Sequence, residues 1–299
     1  AAKYDALRKS GDERFRQWLA AGNNPNAVST DGLELRLRFD EGKGDDVKNS
    51  APGAKTASYK VTTNPLVWGE SVWLWPAARL DIAGQLALPD QGDFEADQGF
   101  SGAMWANLRM KTGNATTGNG SLLCRMGGPN DLAHRGWDFF IDGDKLVLHI
   151  IHQWPQLAIR VETPGVPRGE WVHLGFSYDG SRSAKGVKLF INGQSRPVTI
   201  THDTLQPGLT IQNPYPVNVG RRHNNGDLMR ETSYQDLRLY HRALNDAEFA
   251  RLPFEDPAAE IIAANNDPAK WSSVDRFNVI ERFFLRADPE AVKLRSEIE

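Results

Sequence analysis

At 299 residues, 40% hydrophobic and with a formal net charge of −3, the chain is large enough and apolar enough to bury a real core. That charge gives no bulk electrostatic case for nucleic acid or for an anionic membrane. No apolar run reaches the roughly 18 residues that a membrane span requires.

Residues 1–21 read as a helix, with Tyr4, Leu7, Phe15, Trp18 and Leu19 near helical spacing among charged residues. Gly11 weakens its middle. Gly22-Asn23-Asn24-Pro25-Asn26 ends it with turn chemistry. Ala1 to Ala20 is charged and helical in pattern, unlike a secretory leader. From Gly32 the period changes to two. Leu33, Leu35, Leu37 and Phe39 alternate with Glu34, Arg36, Arg38 and Asp40, as in a strand buried on one face. Further strands are expected near Leu86–Leu88, Phe100–Met110, Ser121–Arg125, Trp137–Ile141, Lys145–His152, Ala158–Thr163, Trp171–Tyr178, Val187–Asn192, Asn218–Gly220 and Tyr234–Tyr240. Asp142-Gly143, Asp179-Gly180 and Asn192-Gly193 supply the positive φ angles of tight turns between them. After Leu244 the pattern is helical again. Asn245 or Asp246 caps a short helix, and Val274, Phe277, Ile280, Phe283, Phe284 and Leu285 form a helical stripe that Asp288-Pro289 breaks.

This order predicts a mainly β chain: a two-sheet antiparallel sandwich with helical extensions at both termini. The expected boundaries are 1–28 for the N-terminal extension, 29–252 for the sandwich and 253–299 for the C-terminal extension. Abrupt helical ends suggest a central module of a longer protein. Cys124 is the one cysteine, so intrachain disulfides and cysteine-based zinc or iron–sulfur sites are excluded. Between Leu123 and Arg125 it reads as a small core residue rather than a nucleophile.

Three segments carry a family resemblance. They are Trp171 to Gly180, Val187 to Gly193, and Tyr234 to Leu244 with its Tyr240-His241-Arg242-Ala243-Leu244 ending. With Asp40-Glu41-Gly42 near the start, they resemble the laminin-G-like, concanavalin A-type jelly roll over about residues 32–252. A narrower similarity joins His149-Ile150-Ile151-His152, Trp154 to Val161, His202 to Leu205, Tyr178-Asp179-Gly180 and Gly220-Arg221-Arg222. These look like the laminin-G-like module of large planctomycete proteins that carry cytochrome c-like domains and domains of unknown function. The resemblance implies an extracytoplasmic setting, a part in polysaccharide use and flanking domains as partners. No haem-attachment Cys-x-x-Cys-His occurs, so no haem is expected.

Three kinds of chemistry can be weighed against these residues: glycoside hydrolysis, sugar binding and calcium binding. A glucanase of this fold would place several carboxylates on one strand face. Glu95-Ala96-Asp97 is the nearest fragment and lacks the following glutamate, while Glu231 and Asp236 are five apart and point to opposite faces of a regular strand. His149, His152, His173 and Tyr178 lie on strands and read mostly as structural. Sugar binding needs an aromatic platform and planar polar groups. Trp154 and Trp137 are candidate platforms, and Arg125, His134, Arg135, His152, Arg221, Arg222 and His223 are candidate polar partners. The alternative is that both tryptophans pack and that Arg221 and Arg222 are solvated or paired. Trp105 shares a strand face with Asn107 and Arg109. A cation-rich pocket would suit an acidic or sulfated glycan. Laminin-G-like domains often hold Ca²⁺, which prefers several oxygen ligands. Asp45, Asp46 and Asn49 cluster after the first strand, and Asp236 matches an acidic position of the family's closing strand. Gln235 departs from the aspartate many members carry there, and a solvated turn also explains Asp45 and Asp46.

The expected function is a non-catalytic carbohydrate-binding module of a larger extracytoplasmic protein, with a polysaccharide or oligosaccharide as partner. The alternatives are an architectural or protein-interaction domain and an enzyme of unrecognised type.

Overall fold

Alternation of apolar and polar residues builds two large antiparallel sheets, seen in a computed structural model that describes residues 2–21, 29–80, 84–108, 119–223, 226–229, 231–255 and 257–297. The strands are β1 (Leu33–Leu37), β2 (Asp46–Lys48), β3 (Ser58–Lys60), β4 (Val67–Gly69), β5 (Ala77–Leu80), β6 (Leu86–Leu88), β7 (Phe100–Asn107), β8 (Gly120–Met126) and β9 (Gly136–Asp142). They continue with β10 (Lys145–Gln153), β11 (Leu157–Thr163), β12 (Trp171–Tyr178), β13 (Val187–Ile191), β14 (Gln194–Arg196), β15 (Thr199–Asp203), β16 (Val217–Val219) and β17 (Thr232–Tyr240). One sheet runs β14-β13-β12-β7-β17-β5-β4, with β1 also on β17. The other has seven strands in the order β15-β11-β10-β9-β8-β16-β6, and β2 and β3 form a separate hairpin. This is the expected antiparallel jelly-roll sandwich.

The core lies between the sheets. Phe139 of the seven-stranded sheet meets Phe176 of the other at 4.9 Å between ring centroids, and Phe100 meets Trp137 at 5.9 Å. Each such side chain is worth about 1.5–3 kcal/mol when fully buried. The Asn192-Gly193 turn joins β13 to β14 with φ of 52° and 75°, the two positive angles that a two-residue hairpin with the native twist requires. Strands β2 to β5 and β14 and β15 were not expected. Most have only three or four residues, too few for a period of two to register, and β14 is exposed throughout.

Two units are distinguished: Ser29–Val72 with Pro76–Pro253, which holds the sandwich, and Ala1–Val28 with Trp73–Trp75 and Phe254–Glu299. In the sandwich unit Asn245 caps α3 (Asp246–Phe249) through a reciprocal capping box with Glu248. The second unit is helical, beginning with α1 (Ala2–Lys9) and α2 (Asp12–Ala20) in place of one helix over 1–21. The break falls at Gly11, where a Cβ would lie 2.4 Å from the Phe284 ring. The turn expected at residues 22–26 lies outside the described residues, as do Arg109 and Met110 of the strand expected over 100–110. The C-terminal helices are α4 (Pro257–Ala264), α5 (Ser273–Arg286) and α6 (Pro289–Ser296). Phe15 and Trp18 pack on Phe283 at 5.4 and 5.3 Å, and Arg14 pairs with buried Asp288 at 2.9 Å. The stripe of α5 is only partly covered: Phe283 and Phe284 are buried, while Val274 and Phe277 are exposed. No helix among the described residues is long and apolar enough to cross a membrane.

Candidate functional site

The register of the seven-stranded sheet decides which side chains can meet a ligand. Cys124, Asp138, His149, Arg160 and His202 form one transverse row through β8, β9, β10, β11 and β15. Because successive side chains alternate faces, Trp137, Phe139 and Ile141 point into the core, while Asp138, Phe140 and Asp142 point outward. The outward face carries a cavity of about 430 Å³ lined by Met126, His134, Phe140, Asp142, His149, Ile151, Trp154, Arg160, Arg222 and Asp227, among others.

An apolar patch and an ionic network make up this pocket. Cys124, Met126, Ile151 and Ala158 form a small buried cluster, and half-buried Trp154 packs against it. The indole stands edge-on to His149 at 5.5 Å and lies 4.7 Å from the His202 ring. Asp138 is wholly buried. Its carboxylate accepts from Ser121 Oγ at 2.6 Å and from Arg222 Nε at 2.9 Å. Burial pushes the Asp138 carboxyl up, yet Arg222, His149 and Ser121 outweigh that push and hold it at about 2. His149 Nδ1 lies 3.3 Å from Asp138 Oδ2 without hydrogen-bond alignment, and Nε2 accepts from Arg160 Nε at 3.2 Å. Burial keeps this imidazole below its ordinary 6.5 despite Asp138. The Arg222 guanidinium covers the Phe140 ring at 4.4 Å. Burial lowers its affinity for a proton, and Asp138 more than restores it.

The rim beside Trp154 is a left-handed turn. Leu132, Ala133 and His134 have φ of 58°, 47° and 63°, a run that L-residues rarely adopt. Ala133 O accepts from Trp154 N at 3.0 Å, so the turn and the tryptophan are tied together. Burial first, then Arg222, lowers the proton affinity of His134. Strain of this kind concentrates at binding and catalytic sites.

The expected sugar-site residues separate accordingly. Trp154, His134 and Arg222 share the pocket. Trp137 does not: it is 1% exposed, donates Nε1–H to Gly92 O at 2.9 Å and offers no platform. Arg125 is buried on the same inward row, donating to Gln91 O at 2.8 Å and Asn213 O at 3.1 Å. Arg221 is buried and donates to Gly84 O at 2.8 Å. Arg135 donates to His152 O at 3.4 Å, and His152 Nδ1 is 2.8 Å from Thr210 O. His223 packs on Tyr215 at 3.9 Å. None of these six lines the pocket. Asp138, Phe140, Asp142, Arg160 and Asp227 were missed, and His149 was read as structural. Alternation opposite Trp137, Phe139 and Ile141 was the signal that would have placed Asp138, Phe140 and Asp142 outside.

The expected calcium ligands do not fit a metal. Asp236 is buried between Arg36 at 2.8 Å and Arg238 at 2.6 Å, so guanidiniums already occupy its oxygens. Burial pushes that carboxyl up, and the two arginines hold it far below the usual range. Asn49 Oδ1 accepts from Arg36 N and Ala51 N at 2.9 and 3.1 Å, and Asp45 Oδ1 accepts from Leu66 N at 2.8 Å. Asp46 lies exposed on β2. Among the described residues no group of three or more His, Cys, Asp or Glu could hold an ion. Glu95, from the nearest glucanase-like fragment, accepts from Thr210 and from the Ile211 amide.

The two sheets form an antiparallel sandwich of the jelly-roll type. The family model described as the concanavalin A-like lectin/glucanases superfamily matches residues 80–250, more than half of the chain, and the chain belongs to that superfamily. A search of curated proteins returns no match. Among solved structures, the binding domain of Paraclostridial Mosquitocidal Protein 1 is similar with a TM-score of 0.57 and 16% identity, over 75% of this chain and 52% of that one. The botulinum neurotoxin serotype G binding domain gives 0.53 and 13%, over 77% and 51%. The binding domain of botulinum neurotoxin DC, in complex with SialylT, gives 0.53 and 11%, over 75% and 52%. At such identities the likeness is one of fold. This chain spans about half the length of each of these solved chains.

Proposed function

We propose that this chain is a non-catalytic carbohydrate-binding module, part of a larger extracytoplasmic protein of polysaccharide use with flanking domains as its neighbours. Its sugar site is the pocket on the outer face of β8 to β11. The observation that carries this is the pairing of Trp154, half-buried on an apolar patch, with guanidinium–carboxylate pairs in the same cavity. Sugars present apolar C–H faces and directional hydroxyls, and a flat indole beside fixed donors and acceptors matches both. The similar solved structures include binding domains, one of them in complex with SialylT, and this supports a binding role. Hydrolysis is disfavoured by the carboxylates themselves. Asp138, Asp142 and Asp227 are each ion-paired to arginine, whereas a glycosidase needs one carboxyl that keeps its proton.

The test is retention of the whole chain on immobilised polysaccharides, repeated with Trp154→Ala. At least one polysaccharide retains the wild type, and the variant loses about tenfold or more in affinity. Its melting temperature stays within a few degrees, because the indole is only half-buried. EDTA leaves retention unchanged, since Asp45, Asp46, Asn49 and Asp236 form no oxygen cage. Retention of nothing, or equal retention of Trp154→Ala, refutes the assignment.

A further inference from the structure

We propose that the pocket selects neutral glycans and rejects those bearing uronate or sulfate. The inference rests on the carbohydrate-binding reading and names the class of sugar that the site takes. It reverses the expectation drawn from the arginine and histidine content of the sequence.

An acidic sugar would seek the guanidiniums, which pair well with carboxylate and sulfate. Both are already engaged. Arg222 donates to Asp138 at 2.9 Å and to Asp227 Oδ2 at 2.8 Å. Arg160 donates to Asp142 Oδ2 at 3.1 Å and meets Glu162 Oε2 at 2.8 Å, and its Nε is on His149. Glu162 also takes Lys145 at 2.5 Å. Within this network three cations face four carboxylates, an excess of one negative charge. Burial holds His134 and His149 below their ordinary 6.5, so neither adds a positive charge at neutral pH.

Position sharpens the effect. Asp142 and Asp227 sit at the rim with side chains 49% and 47% exposed, whereas Arg160 and Arg222 lie behind them at 18% and 19%. An incoming anion meets the rim carboxylates first. To reach a guanidinium it must displace one of them, and truncating or breaking a partly buried ion pair is unfavourable. A neutral hydroxyl needs no displacement. It donates to a rim carboxylate and accepts from a neighbouring guanidinium N–H while the pair stays closed.

The experiment is isothermal titration of the whole chain with matched oligosaccharides. The pairs are glucose against glucuronate, mannose against mannuronate, galactose against galacturonate, and unsulfated against sulfated galactan. A neutral member binds, and its acidic partner binds about tenfold or more weakly. Asp142→Asn with Asp227→Asn removes the rim charges while leaving Asp138 and Glu162 in place. The neutral-to-acidic ratio then falls by about tenfold or more, since even in bulk water a charge a few ångströms away is worth close to tenfold. An acidic member preferred by the wild type overturns the proposal and leaves sugar binding standing. An unchanged ratio in the double variant also overturns it. Binding of no member overturns both this inference and the carbohydrate-binding function.

Discussion

Replacing Asp138 by asparagine is the most direct test of the network under the pocket. The side chain keeps its size, loses its charge, and turns an amide donor toward Arg222 or Ser121. Two routes give the magnitude. Removing one partner of a buried ion pair costs about 3–5 kcal/mol, and Arg222 keeps Asp227 at 2.8 Å, so the lower end applies. Independently, a carboxyl held at about 2 instead of its ordinary 3.8 is worth about 2.5 kcal/mol at pH 7. The folded-state value lies below the unfolded one, so this stability is full above about pH 4 and is lost as pH falls toward 2. About half remains at pH 3. Urea unfolding of both proteins at pH 7, 5, 4 and 3 therefore shows Asp138→Asn less stable by about 2–3 kcal/mol at pH 7. The gap is constant down to pH 5 and narrows by about 1 kcal/mol by pH 3. A gap under about 0.5 kcal/mol at pH 7, or one independent of pH, would show that Asp138 is not the anchor of Arg222.

The opposite sheet makes a separate pH prediction. His173 is buried edge-on to Trp105 at 5.3 Å, and burial pushes it down to about 3, with Asp236 opposing and Arg238 assisting. Below pH 6.5 the unfolded chain takes a proton that the folded chain refuses, so the wild type loses about 2 kcal/mol between pH 7 and 5 from this group. In His173→Gln that loss disappears, and parallel stability profiles for the two proteins would refute the assignment. Glycine substitutions separate close packing from backbone strain. Gly136→Ala combines φ of 136° with a Cβ 1.9 Å from Arg125 O and costs more than about 4 kcal/mol, read as loss of soluble folded protein. Gly143→Ala has φ of 67° and open space, and lowers stability by about 1–2 kcal/mol; equal melting temperatures for the two would contradict the geometry.

Alternation made the sandwich legible. Leu33, Leu35 and Leu37, and the run from Trp171 to Tyr178, announce half-buried strands, and Asn192-Gly193 announces its hairpin. The short strands β2, β3, β4 and β14 carried too little pattern to be seen. The pocket was harder to read because residue type was weighed before strand face. Trp137 and Arg125 look like sugar ligands by composition, but they share an inward row with Ile150 and Ile159. Asp138 and His149, one residue away on their strands, face out. Arg222 comes from a segment some eighty residues from Asp138, and nothing local marks the pair. The acidic rim was invisible for a related reason: Asp142 reads as a turn residue, and Asp227, just past Gly220-Arg221-Arg222, belongs to no motif of its own.

The helical unit draws its residues from both ends of the chain, Phe15 and Trp18 resting on Phe283 and Arg14 on Asp288. On a ribosome adding about 5–20 residues per second, α2 emerges roughly 10–50 s before α5 exists. The strands are made during that interval, and by its end the sandwich has every one it needs, while the aromatic face of α2 waits throughout without its partners. Synthesis thus imposes an order of assembly in which the sandwich completes first and the helices from before and after it come together last.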